Sequence, residues 1–487
     1  MTGEFLMAPG RKKIIENNGF QISDDIDVNI KYFNGKLHAN ESFDIIYRVL
    51  EIAQRRACLY CVDGLNKDEI LEKILEYFFK LKPEDIPLYG HELSKKLIPY
   101  GEVGIIHSSQ EVIDTIMSGI TVLFIDGVDV AFSIDCRSYP ARSVEEPEKD
   151  RVMRGPRDGF VETLVFNTAL IRRRIRDPEL IIEMFKGGDS SRTDIAVCYM
   201  DNRVDKKFLN DVKRRIRNVK VDSLTMGQES LAEMLFRGKW INPFPKFKYT
   251  ERPDTTAACL LEGNIVVIVD NSPSAMILPV SVFDIIEEAD DYYFPPITGT
   301  YLRLSRFLIN ILTVLVTPTW LLFINNPQFM PHWLEFTMVE GVINIPLIFQ
   351  FLILEFAIDG MRLAALNTPN MLSTPLSVIA ALVVGDFAAS SGWFNPEPML
   401  YMAFVAIANY AQVSFELGYA LKFMRLILLI ATAIFNVWGY VAGVVFIIVC
   451  ICANKTISGT SYIYPLIPFN LKELAKRFLR INLRNTK

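Results

Sequence analysis

The sequence is poor in the residues that do chemistry. It has only four histidines (His38, His91, His107 and His332), and none has a metal-ligating neighbour at helical spacing. It contains no H-E-x-x-H, no G-x-S-x-G, no Walker A loop and no dinucleotide fingerprint. No catalytic residue, metal or cofactor is therefore expected, and the chain reads as a non-enzyme. An excess of basic residues is also missing: 51 Lys and Arg stand against 56 Asp and Glu, a net charge of −5, so nucleic acid is not an expected partner. The first ten residues lack a basic stretch followed by an apolar one, so no cleavable signal peptide is expected. Cysteines number seven, an odd count. Cys58 and Cys61 form a C-x-x-C inside an apolar, strand-like run with no second pair to complete a zinc site, and they read as small buried apolar side chains.

What is abundant is apolar residues, at 51% with a mean hydropathy of +0.23, and they are unevenly placed. Up to about Tyr293 charges recur every few residues, whereas from Phe307 to Cys452 they almost vanish. The predicted fold class is an α/β soluble region of two repeated modules followed by a C-terminal α-helical transmembrane bundle of four to five spans. The expected domains are a first α/β module (1–137), an arginine-rich connector with a helix (138–189), a second module (190–295), the bundle (296–453) and a basic tail (454–487).

The repeat rests on β-branched runs that end at Asp and on i, i+3, i+4 apolar spacing between them. The first copy reads strand 57–62, helices 67–80 and 110–118, strands 121–126 and 129–136. The second reads strand 194–199, helices 205–217 and 228–236, strands 264–270 and 274–279. Asp126 and Asp129 resemble paired carboxylates, and a hairpin turn explains them better. In the connector a helix is predicted over 160–176, capped by Asp158 and followed by Pro178. Arg154, Arg157, Arg172, Arg173 and Arg174 are candidates for a module or subunit interface; an anion or lipid-headgroup site is the alternative.

Apolar runs long enough to cross a bilayer lie at 307–324 (with Pro318), 334–358, 375–394, 398–421 and 426–452, the last interrupted by Asn436 and Gly439. Lys and Arg placement sets the α/β region on the cytoplasmic side. Five spans would then put the basic tail outside, against the same rule, so either 334–358 is re-entrant or the last run is a hairpin. Polar residues inside such segments face a bundle interior or a path. The ion-pathway candidates are Glu340, Glu355, Asp359, Asp386, Asn409, Gln412 and Glu416. Glu355 and Asp359 share a helical face, as do Asp386 and Ser390, and Asn409, Gln412 and Glu416 would form one stripe. Hydrogen bonding that only holds the bundle together is the competing reading.

The runs 141–147 (Ala-Arg-Ser-Val-Glu-Glu-Pro), 154–162 (Arg-Gly-Pro-Arg-Asp-Gly-Phe-Val-Glu) and 167–176 (Asn-Thr-Ala-Leu-Ile-Arg-Arg-Arg-Ile-Arg) resemble the A-subunits of the GerA-type spore germination receptor family. Further runs at 62–70, 242–245, 249–254 and 261–263 are most similar to a sporulation paralogue within it. The resemblance implies an inner-membrane protein of the bacterial endospore. It also implies a homo-oligomer, a pentamer, that conducts monovalent cations from the core during germination, with a B-subunit-like membrane partner and membrane lipid around it. A non-conducting scaffold within a receptor complex is the alternative. A path for a small anion such as dipicolinate is disfavoured, because the bundle carries acids where an anion pore would carry bases.

Overall fold

The computed structural model describes residues 20–83, 102–139, 152–236, 242–367 and 390–480. They fall into two compact units.

The first unit comprises the chain up to Arg142 with Val161–Phe185 and Asp194–Val204. It opens with α1 (Ile26–Lys36), whose first turn is capped by Asp25. The strands β1 (Ile45–Ile52), β2 (Arg55–Val62), β3 (Glu102–Ile106), β4 (Thr121–Ile125) and β5 (Ala131–Asp135) form an antiparallel sheet in the order β1-β2-β4-β5-β3. Helices α2 (Asp68–Lys80) and α3 (Ser109–Met117) complete the module. Side chains alternate across the pleat. Cys58, Tyr60, Val122 and Phe124 therefore pack on α1 and α3, while Leu59, Cys61, Leu123 and Ile125 pack on α2. The two cysteines of the C-x-x-C thus point to opposite faces. Burial pushes each thiol up to about 12, so they are inert.

The connector helix, α4, runs Leu164–Arg174. It is shorter than predicted: it starts after Thr163, so Asp158 does not cap it. Gly64, at φ +73°, lets it approach, since a Cβ there would stand 2.9 Å from the Ala169 Cβ. Strands β6 (Leu180–Gly187) and β7 (Thr193–Met200) follow, most of their residues in this unit.

The second unit holds 143–160, 186–193 and everything from Asp205 on. Its α/β part contains α5 (Lys206–Arg217), capped by Asp205, and α6 (Gln228–Leu235). Next come β8 (Lys248–Thr250), α7 (Pro253–Leu261), β9 (Ile265–Val269) and β10 (Ala275–Leu278). Strand β10 pairs antiparallel with both β8 and β9, repeating the way β5 pairs with β3 and β4. The repeat extends to the turn: Gly127 after Asp126 and Asn271 after Asp270 are both left-handed, at φ +81° and +62°, the conformation that Gly and Asn tolerate. The Asp126 carboxylate also accepts from the Ile26 N–H, a structural role.

Two short helices, α8 (Val282–Ile286), with a Ser281/Asp284 capping box, and α9 (Asp290–Tyr293), lead into α10 (Pro296–Asn325). The remaining helices are α11 (Leu347–Asn367), α12 (Pro396–Tyr410), α13 (Phe415–Cys452) and α14 (Leu471–Phe478). Among the described residues α10 and α13 are long and apolar enough to cross a membrane. Three sequence expectations change. The run 334–358 holds the end of a short 3₁₀ helix (His332–Thr337), a loop and the first half of α11. The run 398–421 is broken after Tyr410, and α13 begins anew after its cap, Ser414. Most of 375–394 lies outside the described residues.

Helix α13 is a hairpin of two limbs, 415–435 and 437–452. Asn436 has φ 56° and ψ −131°, which no helix contains. Past it the chain folds back: a Cβ on Gly439 would run into the Ala431 carbonyl, and one on Gly443 would lie 3.5 Å from the Leu428 Cα. Glycine is needed at both positions for the limbs to meet. The hairpin tip is tied to the end of α10 by paired Asn436 and Asn326 side chains.

Candidate functional site

Two charged clusters organise the second unit. The first is a joint between the α/β part and the helices. The acidic run 287–291 sits just before α10, whose first turns present Arg303 and Arg306. Asp291, fully buried, accepts from Arg303 Nε at 3.1 Å and from both terminal nitrogens of Arg306 at 2.9 and 2.5 Å. Glu287 accepts from Arg303 at 2.6 Å and from Arg477 of α14 at 2.9 Å. Arg477 also pairs with Asp284 at 2.6 Å. Burial would raise the Glu287 carboxyl, but Arg303, Lys248 and Arg477 outweigh it and hold it below the usual carboxylate range. The basic tail is thus fixed to the α/β end.

The second cluster lies within the bundle. Glu355 on α11 accepts from Arg425 Nε at 2.8 Å and again from Nη2, and Arg425 Nη1 donates to the Thr313 carbonyl at 3.0 Å. Lys422, one turn earlier, lies 3.6 Å from Glu355 and pairs with Asp359. Arg425, Lys422 and Glu355 are buried. Two acids meet two bases, so the cluster is formally neutral and ties α11, α10 and the first limb of α13 together.

The other pathway candidates are dispersed. Asn409 is in the last turn of α12, Gln412 is in the break, and Glu416 opens α13. The expected single-helix stripe does not form, because the helix ends between its members. The break nonetheless brings two of them together: a Cβ on Gly418 would meet Asn409 Oδ1 at 2.9 Å and Gln412 Cγ at 3.7 Å. Asn409 Oδ1 is buried without a hydrogen-bond partner. Glu416 is exposed and has no basic partner among the described residues. Glu340 is exposed in the loop before α11, and Asp386 lies outside the described residues.

Of the arginines, Arg154 and Arg157 are exposed in the second unit. Arg172 belongs to the interior of the first. It is fully buried and donates to Asp44 at 2.7 and 3.1 Å, to Ser42, and to the carbonyls of Asp177 and Leu180. No donor is left for a neighbouring chain. Arg173 is exposed and lies 4.5 Å over the Tyr139 ring, and Arg174 donates to the Leu170 carbonyl. No group of residues suited to a metal occurs among the described residues.

Reading the sequence by its acids missed Lys422, Arg425, Asp291 and Glu287. A signal was present. Lys422 and Arg425 stand at i, i+3 in an apolar run, matching Glu355 and Asp359 at i, i+4, and Arg303 and Arg306 repeat the pattern beside the acidic run.

With this geometry in view, residues 31–487 match the family described as Bacillus/Clostridium GerA spore germination protein. Among curated proteins, the chain is 36% identical to stage V sporulation protein AF of Bacillus subtilis (strain 168), covering 93% of this chain and 92% of that one. This is the sporulation paralogue that the runs at 62–70, 242–245, 249–254 and 261–263 resemble. It is 27% identical to spore germination protein KA of the same organism, covering 92% and 83%, and 28% identical to spore germination protein GerLA of Bacillus cereus, covering 88% and 87%. Among solved structures, the N-terminal domain of the A subunit of the Bacillus megaterium spore germinant receptor GerK3 aligns with 54% of this chain and 98% of its own, at 23% identity and a TM-score of 0.42.

Proposed function

The chain belongs to the GerA family of spore germination proteins, and from that premise we propose that it is a membrane subunit which assembles with copies of itself and gives monovalent cations a path out of the spore core during germination. The α/β units face the core side of the spore inner membrane, five copies assemble, and a B-subunit-like membrane protein is its partner.

Bundle geometry supports the membrane arrangement. The chain enters the bundle at the joint, and its tail returns to the joint through Arg477, so it crosses an even number of times. The hairpin at Asn436 supplies the extra crossing that a five-span count lacks and returns the basic tail to the cytoplasmic side. At the opposite end Trp333, Trp393 and Trp438 are exposed, as an interfacial aromatic belt requires.

The observation that carries the pathway is the break at 411–414. Glu355 and Asp359 are neutralised where they stand and act as fasteners. The break instead joins the C-terminal, electronegative end of α12 to the unpartnered Asn409 Oδ1, and the unpaired Glu416 follows in the first turn of α13. Discontinuous helices bind cations in this way. Glu340 lies at the opposite mouth.

The test is cation flux through the full chain reconstituted in liposomes, alone and with a B-type partner. Glu416→Gln is expected to reduce flux with assembly unchanged. Verified oligomers that pass no cation in any preparation would favour a scaffold instead, in which the exposed Arg154 and Arg157 are subunit contacts.

A further inference from the structure

Where the α/β part meets the helices of the second unit there is an apolar cavity of about 480 Å³. Phe244 and Phe283 line it from the α/β part, Phe307 and Val314 from α10, Leu417 from the first limb of α13 and Ile447 from the second. Its size falls in the range of small-molecule sites, about 300–1,000 Å³, and walls of this kind exclude water. The joint above it is polar and almost fully paired, so the void is not required for a charged network.

Its mouth identifies the occupant. Ile311 and Ile448 line the cavity and are also 55% and 54% exposed. Their neighbours Leu308 and Val445 are similarly exposed. The opening therefore lies on the lateral face of α10 and the returning limb, the face that meets hydrocarbon in the arrangement proposed above. The cavity has a polar end: Asn310 donates from Nδ2 to the Arg306 carbonyl, while its Oδ1 is buried without a partner. Beside it α14 is anchored by Phe478, whose ring lies 5.9 Å from Phe283 and 4.7 Å from Phe307, both wall residues. The same helix carries the exposed Lys472 and Lys476, which pairs with Glu473 at 2.8 Å.

We propose that the cavity is a binding site for an acyl chain of an anionic phospholipid. The chain enters laterally between α10 and the second limb of α13, the backbone of the lipid lies level with Asn310, and the phosphate lies near the lysines of α14. A lipid held this way packs against Phe244 and Phe283 and makes the α/β part, α10 and the hairpin one body. The inference rests on the membrane reading, and the experiment separates the two.

Full-length protein is reconstituted in nanodiscs of phosphatidylcholine with a minor fraction of phosphatidylglycerol, re-extracted in mild detergent, and its retained lipid is measured by native mass spectrometry. Wild type is expected to keep a phosphatidylglycerol. Ile447→Trp or Val444→Phe, each filling the cavity, should retain it about tenfold more weakly, with helical content and elution unchanged. Lys472→Gln with Lys476→Gln should keep a lipid and lose the preference for phosphatidylglycerol. Equal retention in wild type and both cavity-filled variants overturns the site, as does recovery of free fatty acid alone or of no lipid. Failure of wild type to enter nanodiscs at all would instead overturn the membrane reading.

Discussion

Replacing Glu355 with Gln tests the second charged cluster most directly. In the native bundle Arg425 spends Nε and Nη2 on the Glu355 carboxylate and Nη1 on the Thr313 carbonyl. Lys422 keeps Asp359 as its partner. The substitution therefore leaves a buried guanidinium without a counter-charge in a site that water does not reach. Removing one member of a buried pair costs about 3–5 kcal/mol. For a folded unit of 150–250 residues about 2–4 °C of midpoint corresponds to each kcal/mol, so the bundle should melt about 6–20 °C lower. Glu355→Leu with Arg425→Leu removes both charges and should recover most of that loss, because paired burial is close to neutral against apolar packing. The measurement is thermal unfolding of the full chain in nanodiscs, followed by cation flux in liposomes. A single variant as stable as wild type, or a double variant as unstable as the single, would refute the fastening role. A stable single variant that no longer conducts would return Glu355 to the pathway.

Three other perturbations bear on separate parts of the chain. Gly439→Ala sets a methyl group against the Ala431 carbonyl and should cost about 1–3 kcal/mol of hairpin packing, read as a lower melting midpoint. Arg172→Lys cannot span Asp44 and the Asp177 and Leu180 carbonyls together; hydrogen exchange around 42–44 and 177–182 should accelerate while the bundle's does not. Lys246, buried against Phe236 and Tyr462, donates to the Lys455 carbonyl at 2.6 Å, and burial lowers its ammonium from 10.5 to about 8. Between these values the unfolded chain holds more protons than the folded one, so stability should rise with pH across that window, and Lys246→Met should flatten the rise.

Much of the α/β layout was legible because buried central strands are the strongest pattern a sequence carries. β2, β4, β7 and β9 are apolar runs closed by Asp, β10 is a short apolar run closed by Pro279, and each lies within a residue or two of its expected place. The strands that were missed have physical reasons to be quiet. β1 is an edge strand with exposed Tyr47, Arg48 and Glu51, and its hairpin turns through Ala53 and Gln54, both left-handed without a glycine to mark them. β3 and β8 are short edge strands, and β6 is followed by a polar loop that made it read as connector. In the helical part a hairpin in the last run was one of two alternatives left open by the charge of the tail, and Asn436, with its positive φ, is where that run turns back. The break before Ser414 was invisible to hydropathy, which is continuous there. A cap signal was available in Ser414, whose hydroxyl accepts from the Leu417 N–H.

The charged residues of the bundle separate by whether they have a partner, which polarity alone cannot reveal. Glu355, Asp359 and Glu416 are equivalent in a sequence, each an acid in an apolar run. Once folded, two of them meet Arg425 and Lys422, whose positive charges balance theirs. The third stands in the first turn of α13 without a basic partner among the described residues. An acid that is neutralised in place attracts no ion, since the field it would supply is cancelled within a few ångströms. The same sorting applies at the joint: Glu287 and Asp291 are spent on Arg303, Arg306 and Arg477, so a displacement of the α/β part pulls directly on the base of α10. On the path proposed above, the paired groups would hold the helices together and Asn409 and Glu416 would be the groups open to a cation. Flux should therefore respond to Glu416→Gln through conductance, and to Asp291→Asn through the fraction of time the path is open.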